Sequence, residues 1–291
     1  MKKKQNRTTN KKKANNTSSI KPVFVLILMM LFIGSIVYSR CIREQKEKEL
    51  SSLSGNTSEI ELTQVITPDM PDAQMLHYPG FDVCFSADNH QPYYVTWILT
   101  PEHVRTINTS RSDNFRPDPD VPQCAQLSDY RRSGYDRGHM APSADFRYDT
   151  EAQEATFFLT NMCPQHNSLN TGAWKNLEEQ CRSWAERDST LIIISGPILT
   201  DYLTESIGES CVTVPDRFFK VIYAPYANPP RAIGFIMPNQ KVEGGVQSSA
   251  VTVDQVEEIT GFDFFSSLPD ELENAVESKA RYSDWQYRRK K

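Results

Sequence analysis

Residues 22–38, PVFVLILMMLFIGSIVY, run for 17 positions without a charged side chain, and residues 1–40 around them hold nine lysines and arginines and no acid. No other feature constrains the chain so strongly. At the rise of an α-helix the run spans roughly 26 Å, slightly short of a ~30 Å hydrocarbon core. Lys21 and Arg40 can reach the headgroups with their long side chains and make up the difference. The basic tail, residues 1–21, stays cytoplasmic, so the rest of the chain is delivered across the membrane. Two readings fit residues 22–39. One is an uncleaved transmembrane signal anchor, which the length of the apolar run favours. The other is a cleavable export signal with Val37-Tyr38-Ser39 at the peptidase site, leaving a secreted or periplasmic protein. Basic and apolar residues stand in separate blocks, which disfavours an amphipathic mitochondrial presequence.

Beyond the apolar run the charge reverses. Residues 41–291 carry 23 basic against 37 acidic side chains, a net −14. Such a body is no DNA coat protein, although a local basic cleft within it is compatible with nucleic acid. Residues 40–69 are charged and polar and read as a tether, with a short helix allowed over 42–51. The folded body then begins near residues 70–77. No Pro-, Gly- or Ser-rich linker interrupts it, so residues 70–280 form one domain, and 281–291 form a basic tail. Of six cysteines, Cys41 abuts the membrane segment. Cys84, Cys124, Cys163, Cys181 and Cys211 show neither CxxC nor zinc-site spacing. In an oxidising compartment one or two bridges among these five are expected, with the pairing unreadable.

Apolar runs place the elements. Tyr93–Leu99 is rich in aromatic and β-branched residues and precedes Thr100-Pro101. Leu191–Ser195 is continuously apolar, as a strand covered on both faces would be, and Gly196-Pro197 follows it. Phe218–Ala224 and Ala232–Met237 form a hairpin with an enlarged loop. The spacing of Ala173, Trp174, Leu177 and Cys181 predicts a helix over Thr171–Ser183, and Val253–Thr260 is a second helix stopped by Gly261. The pattern is α+β: a mainly antiparallel central sheet flanked by helices, without regular β–α alternation.

Two polar clusters carry the chemistry. In Tyr135-Asp136-Arg137-Gly138-His139, an extended backbone puts Arg137 and His139 on one face. Gly138 permits either a close backbone approach or a positive φ. An imidazole beside a guanidinium suits proton abstraction from water near a phosphate; the alternative is a structural histidine and a surface cation. In the second cluster, Asn161 through Glu178, Asn170 is either a helix cap or an oxygen ligand for a hard cation. Glu178, eight residues on, shares its side of a helix and either holds a metal-bound water or is solvated.

Asp136-Arg137-Gly138-His139, followed by Asn161-x-x-Pro164-Gln165 and Asn170-x-x-x-Trp174-x-x-Leu177-Glu178, resembles the DNA/RNA non-specific endonucleases of the endonuclease G type. The likeness runs from roughly residue 70 to 275 and implies a ββα-metal core. It implies His139 as general base and Asn170 as the direct ligand of one Mg²⁺, with Mn²⁺ as a substitute. Glu178 would hold the hydrated ion through water. Arg137 would bind phosphate or stabilise the transition state as part of the catalytic set with His139 and Glu178, and Arg182 and Arg111 would be further such arginines, although Arg116 competes for the last place. Asn161 and Gln165 join the substrate-binding set as the polar shell that fixes the site, and Asp136 orients the loop. The resemblance further implies cleavage of DNA and RNA with little sequence preference, leaving 5′-phosphates, and admits a homodimer. A phosphodiesterase of narrower substrate range and a non-catalytic nucleic-acid-binding protein are the alternatives. With the nuclease domain beyond the membrane, the expected location is a bacterial cell envelope.

Overall fold

The computed structural model describes residues 22–54, 57–199 and 205–286. The basic tail over 1–21, the Asn56 sequon and the Arg288–Lys291 cluster lie outside them. The chain divides between Lys46 and Glu47 into two units. The first contains most of α1 (Pro22–Ser54). By length and composition this helix can cross a membrane, and its apolar window is 0% buried within the protein. Arg40 and Glu44 pair one turn apart at 2.9 Å on its exposed surface.

The second unit starts with the last two turns of α1. Leu50 is buried there, and the Ser54 hydroxyl donates to the Pro225 carbonyl at 2.8 Å. A 3₁₀ turn at Glu61–Thr63 buries Leu62, and β1 (Val65–Ile66) pairs with β13 (Asp263–Phe264). The described residues 47–54 and 57–66 thus pack on the folded body, where composition alone suggested a tether up to residue 69. A few apolar side chains, too sparse for a periodic signal, are enough to dock the segment.

The core is a seven-stranded sheet in the order β12-β11-β10-β7-β4-β3-β2. Its strands are β2 (Ala73–Tyr78), β3 (Phe81–Ser86), β4 (Gln91–Leu99), β7 (Leu191–Ile198), β10 (Arg217–Ala224), β11 (Arg231–Pro238) and β12 (Ala250–Val251). Every pairing in it is antiparallel. The expected hairpin is β10–β11, and the apolar run 191–195 is the central strand β7. Alternation along the strands builds two cores. Val95, Trp97, Ile193, Phe218 and Ile222 face one side; Tyr94, Ile192, Ile194, Phe219 and Val221 face the other. Each fully buried isoleucine of β7 contributes about 1.5–3 kcal/mol relative to exposure.

On the first face lie β5 (Asp136–His139), β6 (Met162–Gln165) and α5 (Lys175–Asp188), with α2 (Pro101–Arg105), α3 (Leu127–Tyr130) and α4 (Thr150–Ala155) in the connections. A small ribbon, β8 (Ser206–Ile207) with β9 (Val212–Thr213), completes the strands. On the second face lie α6 (Val253–Thr260) and α7 (Asp270–Glu277). Gly261 ends α6 with a φ of 72°, the left-handed cap that its position predicts. The C-terminal stretch is anchored through α8 (Tyr282–Trp285), whose Trp285 ring sits 4.9 Å from that of Trp184. Tyr282–Trp285, which the sequence placed in a tail from residue 281, are therefore docked on the body.

All six cysteines are unbridged, against the expectation of one or two disulfides. Cys84 packs in one core while Cys124, Cys163 and Cys181 pack in the other, and Cys211 is exposed. The buried four serve as small apolar fillers.

Candidate active site

The site is built on β5 and β6, which pair antiparallel with His139 opposite Met162 and Gly138 opposite Cys163. The side chain of Gln165 lies against Gly138 so closely that a Cβ there would fall 2.4 Å from Oε1. Close approach, with an ordinary negative φ, is therefore why glycine stands between Arg137 and His139. The turn after β5 is held by Asn161. Its Oδ1 accepts from the Ala141 amide at 2.9 Å, and its Nδ2 donates to the carbonyls of Ala141 and Thr156, both at 2.9 Å. Ser195 of the central strand donates to the Met140 carbonyl at 3.0 Å, fastening this turn to the sheet.

Asn161→Ala removes three buried hydrogen bonds and strands their backbone partners. An unpaired buried polar group costs ~1–3 kcal/mol, so the expected loss is about 3–5 kcal/mol. The unfolding midpoint drops on the order of 10 °C in a thermal melt followed by circular dichroism. A change below about 3 °C would remove Asn161 from the scaffold.

After β6 the chain makes a widened turn, Leu169–Trp174, before α5 starts at Lys175. Gly172, at φ −103° and ψ −114°, leaves the helical region. The continuous helix expected over 171–183 is thus broken at its start, and helical phasing does not relate Asn170 to Glu178. Nor does Asn170 cap α5: the cap position is Trp174, which makes no side-chain cap bond. Instead Asn170 donates its Nδ2 to Asp136 at 2.9 Å, and Asn167 donates to the same carboxylate oxygen at 2.9 Å. A carboxylate oxygen accepts these bonds, which turns Nδ2 of Asn170 toward Asp136, and among the described residues no hydrogen bond is made to its Oδ1. The Trp174 indole donates to the His139 carbonyl at 3.1 Å, which couples the turn back to β5.

These elements enclose a cleft of about 680 Å³ lined by His139, Asn170, Glu178, Arg111, Arg137 and Arg182, among others. His139 is 8% exposed, with the edges of Phe115 and Phe157 packed at 5.5 and 5.1 Å between ring centres. Burial, then the charges of Arg111 and Arg137, push its pKa down to about 3, so the ring is neutral at pH 7. Its Nε2 is buried without a hydrogen-bond partner. Glu178 is half-buried, and desolvation lifts its carboxyl up to about 7 against the pull of Lys220.

Each arginine is held differently. The Arg137 guanidinium lies 4.1 Å from the centre of the Phe115 ring. Arg111 donates to Asp113 and to the Ser143 hydroxyl, the latter at 2.9 Å. Arg182 is fixed by the buried Asp145 at 2.9 Å, which in turn accepts from the Trp97 indole at 3.1 Å. Arg116 stacks on Phe158 and donates to backbone carbonyls, outside the cleft lining. Arg111, then, is the arginine at the cleft. Asn161 and Gln165 are fully buried and do not line it. Asn161 holds the turn through its hydrogen bonds, while the Gln165 side chain packs against Gly138, so neither presents surface to a substrate in the cleft.

Arg131 and Lys175 bring the lining to five cations against the carboxylates of Asp136 and Glu178, a net +3 in an acidic body. Sequence reading missed both. It also missed Asp145, for which no local signal exists. Lys220 had a signal, a lone charge in the apolar run FFKVIYA over Phe218–Ala224. Its Nζ is fully buried and without a hydrogen-bond partner, 4.5 and 4.8 Å from the ring centres of Trp174 and Trp97.

A sequence model of the DNA/RNA non-specific endonuclease family matches residues 59–271. The chain is 33% identical over 222 residues to the mitochondrial nuclease of Saccharomyces cerevisiae, covering 67% of each chain. It is 33% identical over 244 residues to a nuclease of Nostoc, covering 78% of this chain and 84% of that one. A chain in the crystal structure of the EndoG/EndoGI complex superposes with a TM-score of 0.67 at 29% identity, over 75% of this chain and 95% of that one. The α+β architecture, with β5, β6 and α5 in succession, is consistent with a ββα-metal core. By sequence, over most of its folded body, and by fold, this protein belongs to the DNA/RNA non-specific endonuclease family.

Proposed function

We propose that the protein is a divalent-metal-dependent endonuclease that hydrolyses phosphodiester bonds of DNA and RNA with little sequence preference. The observation that carries this reading is one cleft lined by a neutral imidazole, the Asn170 amide, two carboxylates and four arginines. Oxygen donors of this kind suit a hard cation: Asn170 would ligate Mg²⁺ (or Mn²⁺) directly, and Glu178 would hold it through water. When bound, the cation supplies positive charge beside the phosphoryl and departing 3′ oxygens.

The chain's own residues do the rest. With Nε2 of His139 buried, Nδ1 is the nitrogen left to accept a proton from the attacking water. Arg111, Arg137 and Arg182 match the phosphate oxygens with forked, permanently charged donors. Asp136 acts through Asn170, and Asp145 through Arg182. None of these groups reads a base edge, which supports weak sequence preference. The 5′-phosphate falls on the product that receives the water oxygen. The basic N-terminal block and the apolar length of α1 support an anchor with the nuclease domain beyond the membrane, in a cell envelope. A mass measurement of the mature N-terminus separates this from a cleaved signal.

The test is an assay of the full chain in detergent on plasmid, single-stranded DNA and RNA. All three are cut with Mg²⁺, and EDTA stops the reaction. Cleavage that persists in EDTA, or its absence on every substrate with Mg²⁺, would falsify the proposal. Cleavage of one substrate alone would support the narrower phosphodiesterase.

A further inference from the structure

A group of carboxylates unrelated to the cleft stands on the opposite face of the sheet. Asp254 lies in the first turn of α6, Glu257 one turn further, and Glu277 is the last residue of α7. One oxygen from each lies within 4.8 Å of the others. That spread is the limit for ligands sharing one ion at Ca–O distances of about 2.4 Å. Glu257 Oε1 accepts from the Phe264 amide at 2.9 Å, fixing its carboxylate between α6 and β13.

Glu277 is what turns an acidic cluster into a candidate site. It is 4% exposed, and its Oε1 has no hydrogen-bond partner. It also ends its helix, where unsatisfied carbonyls already concentrate negative charge and an anion is disfavoured. Asp263 and Glu273 add two more carboxylates nearby. Among the described residues, none of these five acids forms an ion pair. A buried, unpaired carboxylate among like charges is costly unless a proton or a cation neutralises it.

We propose that Asp254, Glu257 and Glu277 bind one divalent cation of the calcium class, which ties α6 to the end of α7. The oxygen-only donor set and mixed exposure suit calcium, which accepts irregular geometry and completes its shell with water. The site is structural. It stabilises the second core, where Val253 and Val256 of α6 meet Leu272 and Val276 of α7.

The test uses the full chain in detergent, stripped with EDTA and transferred to chelator-free buffer. Calcium chloride at about a hundredfold over its dissociation constant raises the unfolding midpoint by roughly 5 °C. In the Asp254→Asn/Glu277→Gln double variant the shift disappears, the cation-free midpoint does not fall, and Mg²⁺-dependent nuclease activity is unchanged. Asp254→Asn alone, at an exposed position, weakens the calcium response at least tenfold without endangering the fold. Asn170→Ala keeps the full shift, which separates this site from the cleft. The proposal is overturned if calcium gives no shift in the wild type, if the double variant keeps it, or if Asn170→Ala abolishes it.

Discussion

His139→Ala lowers kcat for plasmid cleavage by about 10²–10⁴, the usual contribution of a positioned general base, while the affinity for Mg²⁺ stays within a factor of about three. The ring is clasped between Phe115 and Phe157, and its backbone is fixed by pairing with Met162 and by the Trp174 indole. With its pKa held down at about 3 by burial and two arginines, the imidazole is neutral throughout the useful pH range. It follows that the acid limb of the rate profile does not belong to His139. Glu178, lifted to about 7, is the group that gains a proton as pH falls. Once protonated it no longer attracts a hydrated cation, so Mg²⁺ affinity falls by about tenfold per pH unit below 7. The limb therefore shifts to lower pH as Mg²⁺ is raised, because the cation favours the ionised carboxylate. A limb that stays at one pH across a hundredfold range of Mg²⁺ would contradict this assignment. A loss below tenfold in a folded His139→Ala protein would remove the histidine as base.

The second large effect is on metal binding. Asn170→Ala removes the amide oxygen itself and raises the Mg²⁺ dissociation constant by at least a hundredfold. Asp136→Ala leaves that oxygen in place but frees the amide to rotate, since its carboxylate takes the hydrogen bonds from both Asn170 and Asn167. Residues that orient a ligand in this way are worth about 10–100-fold in metal affinity. Asp136→Asn recovers part of the loss, because its own carbonyl oxygen can still accept from Asn170. Isothermal titration with MgCl₂ measures all three variants. If Asp136→Ala binds Mg²⁺ as tightly as wild type, the positioning role is wrong.

Secondary structure was legible wherever one side of an element is uniformly apolar. The run 191–195 reads as a strand covered on both faces, and Gly261 marks the end of α6 through its positive φ. The start of α5 was not legible. The apolar spacing of 173–181 continues through Trp174, yet Gly172 departs from helical geometry, and one glycine in a polar stretch carries no sign of that. The cysteines misled because the expected compartment argues for bridges, whereas packing places Cys84 on the other side of the sheet from the buried Cys124, Cys163 and Cys181.

Chain order and residue type alone determined that an apolar, basic-flanked helix precedes an acidic α+β body, and they singled out residues 136–178 as the segment in which to look for its chemistry. These are local properties: charge, periodicity and short motifs survive without coordinates. Only the tertiary structure decided that Arg111 rather than Arg116 reaches the cleft, that Asn161 and Gln165 are buried away from it, and that Asp145 and Lys220 stand behind Arg182 and Glu178. Those assignments depend on which groups lose water and which partners meet across 37 to 48 residues of chain. Burial and long-range pairing are created by packing, and no window of sequence contains them.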